Sequence, residues 1–225
     1  SNKGYGGGVY VYDGCSFTMN GGKITSNTAG FFGGGVYLSC KSNFTMNGGS
    51  ITGNSAQMSG GGVELYGGNS GDDSTFTVSG KAVINGNITQ GSSTEDNNVA
   101  CNGTIINVAS PGLDSEAHIG VSTSEISKGD YKVVAQGKSS YQMKDTDAER
   151  FHSDDGYASK LIGNSIVFMN GTLHEHAVCG KTGCTEEDHD NTLWIPLTYD
   201  SENQRLQYGG KSLKKPTYNN KYTLP

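Results

Sequence analysis

The residues with the most specific chemistry are histidines and cysteines between positions 174 and 189. They are His174, His176, Cys179, Cys184 and His189. Imidazole nitrogen and thiolate sulfur are the ligands that structural zinc prefers, and the Gly-rich turns here are too short to build a core. Four protein ligands make a closed site, so the pattern predicts a structural zinc ion and not a catalytic one.

Two other interpretations of this segment stay open. Cys179 and Cys184 could form a disulfide instead, which an extracellular setting permits. The histidines could also be solvated side chains, and His189, which lies among the acidic residues of 186–190, fits that interpretation best. The zinc hypothesis needs only four of the five candidates, so one histidine is spare in any case.

Carboxylates that could cleave a glycan are few in the first part of the chain. Asp72 and Asp73 lie in a Gly/Ser-rich insertion, residues 67–74, and Glu64 lies just before it. Hydrolases need two or three carboxylates facing one groove, and lyases need a basic residue beside them. Because no Arg precedes Arg150 and no Asp/Lys/Arg set recurs, we expect no enzyme. A polysaccharide lyase or hydrolase, or a carbohydrate-binding module, that uses the 67–74 loop is the alternative.

Tyrosines form a second candidate binding site. Tyr10, Tyr12, Tyr37 and Tyr66 alternate with inward Val and Leu, so they are predicted to point outward along one sheet. Flat aromatic rings bind sugar rings and partner proteins. The competing interpretation is that tyrosine simply favours β-strands. The ligand-binding hypothesis therefore covers these four residues with Glu64, Asp72 and Asp73.

A sequence repeat indicates the scaffold that must position these side chains. The tetrapeptide GGGV begins at positions 6, 33 and 60, so the period is 27 residues (33 − 6 and 60 − 33). The phrase FTMNGG at 17–22 returns at 44–49, and FTVSGK follows at 76–81. Within each unit, apolar residues alternate with period two, which is typical of short strands. The repeat predicts an all-β, right-handed parallel β-helix with coils of about 27 residues.

In such a solenoid, equivalent residues stack directly above one another. The predicted interior columns begin with Val9, Val11, Phe17, Met19 and Ile24 of the first coil and continue through their repeat equivalents. Asn27, Asn54 and Asn87 are predicted to stack at one corner of three coils. Because an amide both donates and accepts, stacked asparagines can satisfy corner backbone groups that strands leave unpaired. We expect a structural asparagine ladder there.

Composition narrows the possible partners. The chain has 225 residues, 35 of them Gly, and a net charge of −6 with 16 scattered Lys and Arg. This charge balance argues against nucleic acid and acidic membranes as partners. No stretch of 18 apolar residues is present, which argues against membrane insertion.

The repeats resemble a family of surface proteins. The sequence GGGVYV…FTMNGGKITSNTAG…GGGVYL, within residues 4–90, resembles the β-helix repeats of large cell-surface proteins of gut Gram-positive bacteria. It is also similar to the repeats of polymorphic outer-membrane adhesins and autotransporters. The resemblance implies a secreted or cell-wall-attached, adhesin-like or stalk module. Its implied partners are a host surface protein or glycan and adjacent modules of the same longer chain.

Three segments are predicted from these patterns. Residues 1–173 are a β-helix whose last coils and C-terminal cap occupy 97–173, because an open stack would expose unpaired strand edges. Residues 174–198 are the Cys/His-rich module, which resembles a segment that follows β-helices in the same surface proteins. Residues 199–225 are a linker or the start of another module.

Overall fold

A computed structural model describes residues 4–67, 73–91, 94–128, 130–139 and 141–170, together with three strands closer to the C-terminus. The chain divides into two compact units, Ser1–Gly171 and Thr172–Pro225. The described residues are nearly all β, and helix is confined to α1 (Asp145–Ala148). In chain order the strands of the first unit are β1 (Val9–Val11), β2 (Ser16–Met19), β3 (Lys23–Thr25), β4 (Thr28–Ala29), β5 (Val36–Leu38), β6 (Asn43–Thr52), β7 (Ser55–Ala56), β8 (Val63–Tyr66), β9 (Thr75–Asn85), β10 (Ile88–Gln90), β11 (Thr94–Asp96), β12 (Val99–Asn102), β13 (Ile106–Leu113), β14 (His118–Val121), β15 (Tyr131–Gly137), β16 (Phe151–Ser153), β17 (Ala158–Ile162) and β18 (Ser165–Met169).

The first unit is a parallel β-solenoid of about four turns, which confirms the predicted fold class. Three sheets run along the stack. Sheet A contains β1, β5, β8 and β12, all parallel, and sheet C contains β4, β7, β10 and the antiparallel β11. Sheet B is the longest, with β2 and β3 both paired to β6, which pairs in turn with β9.

The predicted interior columns are confirmed by the strand register. Val9, Val36 and Val63 are aligned across β1, β5 and β8, and Val99 adds a fourth level from β12. The Phe17, Phe44 and Phe76 rings stack, with the Phe44 and Phe76 centroids 4.8 Å apart. Stacking like residues on like therefore fills a narrow core that has few apolar residues per coil.

The asparagine ladder is present and is longer than the sequence predicted. Asn27 Nδ2 donates to Asn54 Oδ1 at 2.9 Å, and Asn54 Nδ2 donates to Asn87 Oδ1 at 2.9 Å. The next amide, Asn87 Nδ2, donates to Asn98 Oδ1 at 2.9 Å. Asn98 Nδ2 then donates to Asp154 Oδ1 at 2.7 Å. All four bonds run in the same direction, from the first coil towards the last.

The glycine triplets before β1, β5 and β8 have steric causes. Gly33 has φ +67°, a left-handed conformation that L side chains rarely adopt. A Cβ on Gly35 would lie 2.7 Å from the Gly62 carbonyl oxygen and 3.1 Å from Asn54 Nδ2. The triplet thus lets the backbone turn and then pass close to both the next coil and the ladder.

Strand direction changes beyond the fourth coil. In sheet B, β13 pairs in parallel with β15, but β18 pairs antiparallel with both β15 and β17. Nearby, β14 and β16 remain parallel. That this region caps the stack stays a prediction. No helix among the described residues is long and apolar enough to cross a membrane.

The second unit is described only through three short strands. They are β19 (Thr198–Asp200), β20 (Arg205–Tyr208) and β21 (Lys211–Ser212), and they form an antiparallel sheet. They fall almost entirely within the segment that the sequence assigns to a linker or a new module.

Candidate ligand-binding face

Aromatic side chains cover the outer side of sheet A at the first two coils. We call this surface the aromatic face. It gathers three of the predicted tyrosines with three rings that the sequence analysis did not select. Its members are Tyr5, Tyr10, Tyr12, Phe31, Phe32 and Tyr37.

The two strands β1 and β5 place the central tyrosines. Tyr10 and Tyr37 are register partners, and because Val9 and Val11 point inward, Tyr10 must point outward. The Tyr10 ring centroid lies 5.3 Å from that of Tyr37 and 5.8 Å from that of Tyr12. These separations are typical of attractive aromatic pairs.

The corner that precedes these strands supplies the other rings. Tyr5 stacks on Phe32 with centroids 5.9 Å apart and an interplanar angle of 11°, and its centroid is 4.9 Å from that of Tyr37. Phe31 lies 5.9 Å from Tyr5. The rings are therefore packed into one continuous group.

Exposure separates the members that a ligand can reach from those that support them. Tyr10 and Tyr12 are 49% and 52% exposed, and Tyr5 and Phe31 are also exposed. Tyr37, which the sequence placed among the ligand-binding residues, is only 5% exposed. It lies on the predicted side of the sheet, but neighbouring rings cover it. Tyr37 is thus a supporting residue, and a ligand would contact the four exposed rings.

Two phenols of this face, Tyr10 and Tyr37, have raised pKa values. Burial raises the pKa of Tyr37 to about 12, and the nearby Glu64 contributes to the rise. Burial also raises the pKa of Tyr10, with a further contribution from Tyr12. At Tyr10 and Tyr37 the face consequently offers ring surfaces and neutral hydroxyl groups, which suit a neutral polar ligand.

Glu64 has a different environment from the one that a ligand-binding role requires. It follows Tyr37 in register on β8 and is only 2% exposed. Its charge, together with burial as the larger cause, raises the pKa of the Cys101 thiol to about 12. Glu64 is therefore a buried carboxylate on the outward side of sheet A, next to Tyr37, and its contact with a ligand stays a prediction.

The remaining predicted residues are not gathered with this group. Tyr66 is 48% exposed, but it makes no ring contact with the aromatic residues that the structure describes. Asp73 is exposed at the end of the insertion, and Asp72 lies outside the described residues. The structure thus does not bring these carboxylates and the tyrosines into one described site.

A repeat signal could have identified the missing rings. Tyr5 and Phe32 are separated by the repeat length of 27 (32 − 5), and Phe31 and Met58 by the same interval (58 − 31). The Met58 N–H donates to the Phe31 carbonyl oxygen, and its side chain is 59% exposed. Exposed apolar surface therefore continues from the aromatic face into the third coil through Met58.

The predicted zinc ligands His174, His176, Cys179, Cys184 and His189 lie outside the described residues. Within the described part of the chain, no group of three or more His, Cys, Asp or Glu side chains is arranged to hold a metal ion. Structural zinc thus stays a prediction for the 174–198 segment.

Comparison with family models, with curated proteins and with solved structures found no match to this chain. The described geometry is consequently the basis for any functional proposal.

Proposed function

We propose that this chain is a non-catalytic, extracellular surface module whose rigid solenoid displays the aromatic face to a glycan. The observation that carries the proposal is the contiguous group of four exposed rings, Tyr5, Tyr10, Tyr12 and Phe31. An adhesin-like module attached to the cell wall would present such a surface to host or environmental glycans.

The chemistry of the rings favours a sugar ligand. Pyranose rings have an apolar face of C–H groups that packs on aromatic side chains, and hydroxyls at their edges that bond to phenols. The raised pKa values of Tyr10 and Tyr37 keep these two phenols neutral, which suits an uncharged sugar. Packing against Tyr37 and Phe32 holds the Tyr5 and Tyr10 rings in place, which lowers the entropy lost on binding.

Rigidity of the scaffold supports the same function. In sheet A, β1 is fixed by parallel pairing with β5, β5 by parallel pairing with both β1 and β8, and both strands by buried valine and leucine side chains beneath. A surface built on paired strands holds its side chains more accurately than a loop does. This arrangement suits repeated, weak binding by many copies of a surface module.

A binding experiment with matched variants tests the proposal. Oligosaccharides from plant and host glycans would be titrated into the full chain by calorimetry and by NMR. We expect the double variant Tyr10→Ala/Tyr12→Ala to weaken binding about tenfold or more, which corresponds to about 1.4 kcal/mol. Tyr131→Ala is the control, because Tyr131 is 55% exposed on β15 and lies outside the aromatic face.

Three outcomes would contradict the proposal. One is that no glycan in the panel binds, and another is that Tyr131→Ala weakens binding as much as the double variant. The third is that the polysaccharides are shortened during incubation, which chromatography of the products would detect. That last result would favour the polysaccharide-active enzyme that uses the 67–74 loop.

A further inference from the structure

The first coil has an open edge in all three sheets. In sheet A, β1 pairs only with β5, and in sheet C, β4 pairs only with β7 among the described strands. In sheet B, β2 and β3 pair only with β6 in the described part of the chain. One side of each of these strands therefore presents backbone N–H and C=O groups without a described partner strand.

Apolar side chains are also less covered at this edge than in the coils behind it. Val9, Phe17 and Ile24 are only partly buried. Their column neighbours Val36, Phe44 and Ile51 are fully buried. The first coil thus has the same apolar pattern as the inner coils, but a described coil covers it on one side only.

The asparagine ladder leaves a hydrogen-bond acceptor at this edge. Every ladder Oδ1 in the inner coils accepts both the side-chain and the backbone N–H of the coil before it, as Asn54 Oδ1 does from Asn27 at 2.9 and 3.0 Å. Asn87 Oδ1 accepts the same pair of donors from Asn54. Asn27 Oδ1 receives no hydrogen bond from any described residue, so the edge presents an acceptor that matches two donors.

We propose that this edge is the docking surface for one further parallel β-coil, joined to the chain ahead of Gly4, which carries an asparagine at its ladder position. That asparagine donates its side-chain and backbone N–H groups to Asn27 Oδ1. Its sheet C strand leads into β1, just as β4 leads into β5 between the first and second coils.

A second copy of this chain does not satisfy the same requirement. Two first coils packed edge to edge would place one Asn27 Oδ1 against the other, acceptor against acceptor. The opposite end of the ladder is Asp154, whose carboxylate accepts from Asn98 N, Asn98 Nδ2 and Ser122 Oγ. Head-to-tail stacking would therefore bring a carboxylate to Asn27, again without a donor.

The test extends the chain by one coil. A copy of residues 4–30, which is one 27-residue repeat, would be inserted between Lys3 and Gly4 of the full-length protein. A second extension would use a copy of residues 31–57, and a third would use the 4–30 copy with its ladder asparagine changed to alanine. The unmodified chain serves as the reference, and light scattering reports its oligomeric state.

Hydrogen exchange of the Tyr10 amide gives the readout. Because the Val9 N–H donates to the Gly35 carbonyl oxygen, alternation along β1 directs the Tyr10 N–H to the open edge. We expect both intact extensions to slow its exchange about tenfold or more, and the alanine copy to slow it less.

Any of three results overturns the proposal. The first is that neither intact extension protects Tyr10, whether because the added coil fails to fold or because it does not dock. The second is that the alanine copy protects equally well, which would show that Asn27 does not select a donor. The third is that the unmodified chain is a dimer with Tyr10 already protected, which would assign the edge to a second copy.

Discussion

The two ends of the asparagine ladder differ in the hydrogen bonds that their terminal side chains accept. At one end, Asp154 receives three hydrogen bonds at 2.6–2.7 Å, and its two oxygens use the donors of Asn98 and Ser122. At the other end, Asn27 donates to Asn54 and its backbone carbonyl accepts from the Ser55 N–H, but its side-chain Oδ1 accepts no hydrogen bond from the described residues. A carboxylate is a suitable terminus because it needs no donors of its own and binds N–H groups strongly.

This difference shows that a solenoid end is defined by hydrogen-bonding capacity as well as by apolar surface. Beyond the fourth coil, the parallel stacking of sheet B is interrupted by β18, which pairs antiparallel with β15 and β17, although β16, directly before Asp154, stays parallel to β14. The first coil has neither feature. Its strands repeat the inner-coil pattern, and its ladder residue is of the same type as those inside.

Removing a ladder residue should have the largest effect in the middle of the stack. In Asn87→Ala, the Asn54 N–H loses its acceptor, and the Ile51 carbonyl and Asn98 Oδ1 each lose a donor. Since each buried unsatisfied group costs about 1–3 kcal/mol, we expect a loss of about 3 kcal/mol or more in the free energy of unfolding.

Asn27→Ala is the matched variant for the open end. It removes only the side-chain donation to Asn54 Oδ1, which still accepts the backbone N–H of residue 27. We expect a loss of about 1 kcal/mol or less. Urea denaturation followed by circular dichroism compares the two variants. Equal losses would contradict the claimed difference between the inner ladder and its first position.

The regular part of the fold could be predicted because the repeat is strict. A 27-residue period fixes which residues stack, so the Val9, Phe17 and Ile24 columns and the first three ladder asparagines were confirmed. Alternation within a strand also gave the correct side of the sheet for Tyr10 and Tyr37. These inferences require only the strand register, which follows directly from the 27-residue period of the sequence.

The rest depends on substitutions that break the repeat. Asn98 immediately precedes Val99, which pairs with Val63, so it occupies the position that is Gly62 in the coil before. Its side chain nevertheless enters the ladder, and repeat alignment could not show this. Asp154 joins from a still later and irregular segment.

The aromatic face was predicted in part for a similar reason. Register shows that Tyr37 and Glu64 point outward from sheet A, but it does not show what lies beside them. The Tyr5 and Phe32 rings come from the preceding corner and pack near Tyr37, which is why it is buried. Lateral packing at corners is a property of the folded coil and not of the strand pattern.

The first and inner coils also differ at a corner position with positive φ, where a smaller effect on stability is expected. Ser26 has φ +59°, whereas the equivalent inner positions are Gly53 at +64° and Gly86 at +61°. A residue with a Cβ is destabilised by about 1–2 kcal/mol in this left-handed conformation. Glycine avoids that penalty, but it loses more conformational entropy on folding, which costs about 0.5–1 kcal/mol. We expect Ser26→Gly to stabilise the chain by about 0.5 kcal/mol or slightly more.

Gly86→Ala is the reverse experiment in an inner coil. A Cβ at Gly86 would meet no atom within 4 Å, so the change introduces the backbone penalty without a clash. We expect it to destabilise by about 1 kcal/mol in the same urea titration. If both variants change stability in the same direction, the corner positions of the first and inner coils are not equivalent.

The smallest expected effect concerns a histidine pair close to the Asp154 end. His118 and His152 stack with centroids 3.9 Å apart and an interplanar angle of 14°. Partial burial lowers the pKa of both rings, and for His152 the neighbouring His118 and Arg150 lower it further, while Asp154 opposes the shift in both. The folded state therefore binds protons less readily than the unfolded chain, and stability falls as the pH drops through the unfolded histidine pKa of about 6.5.

The variant His152→Gln should reduce this pH dependence. We expect the drop in thermal midpoint between pH 7.5 and pH 5.5 to be smaller in the variant than in the unmodified chain. The corresponding difference between the two proteins in the pH-dependent free energy of unfolding should stay below about 1 kcal/mol, because His152 is exposed and solvent screens the pair. Histidines elsewhere contribute equally to both proteins, so only the change in slope is informative. An unchanged slope would mean that protonation is tolerated at the Asp154 end, where the carboxylate would then be the dominant neighbour of both rings.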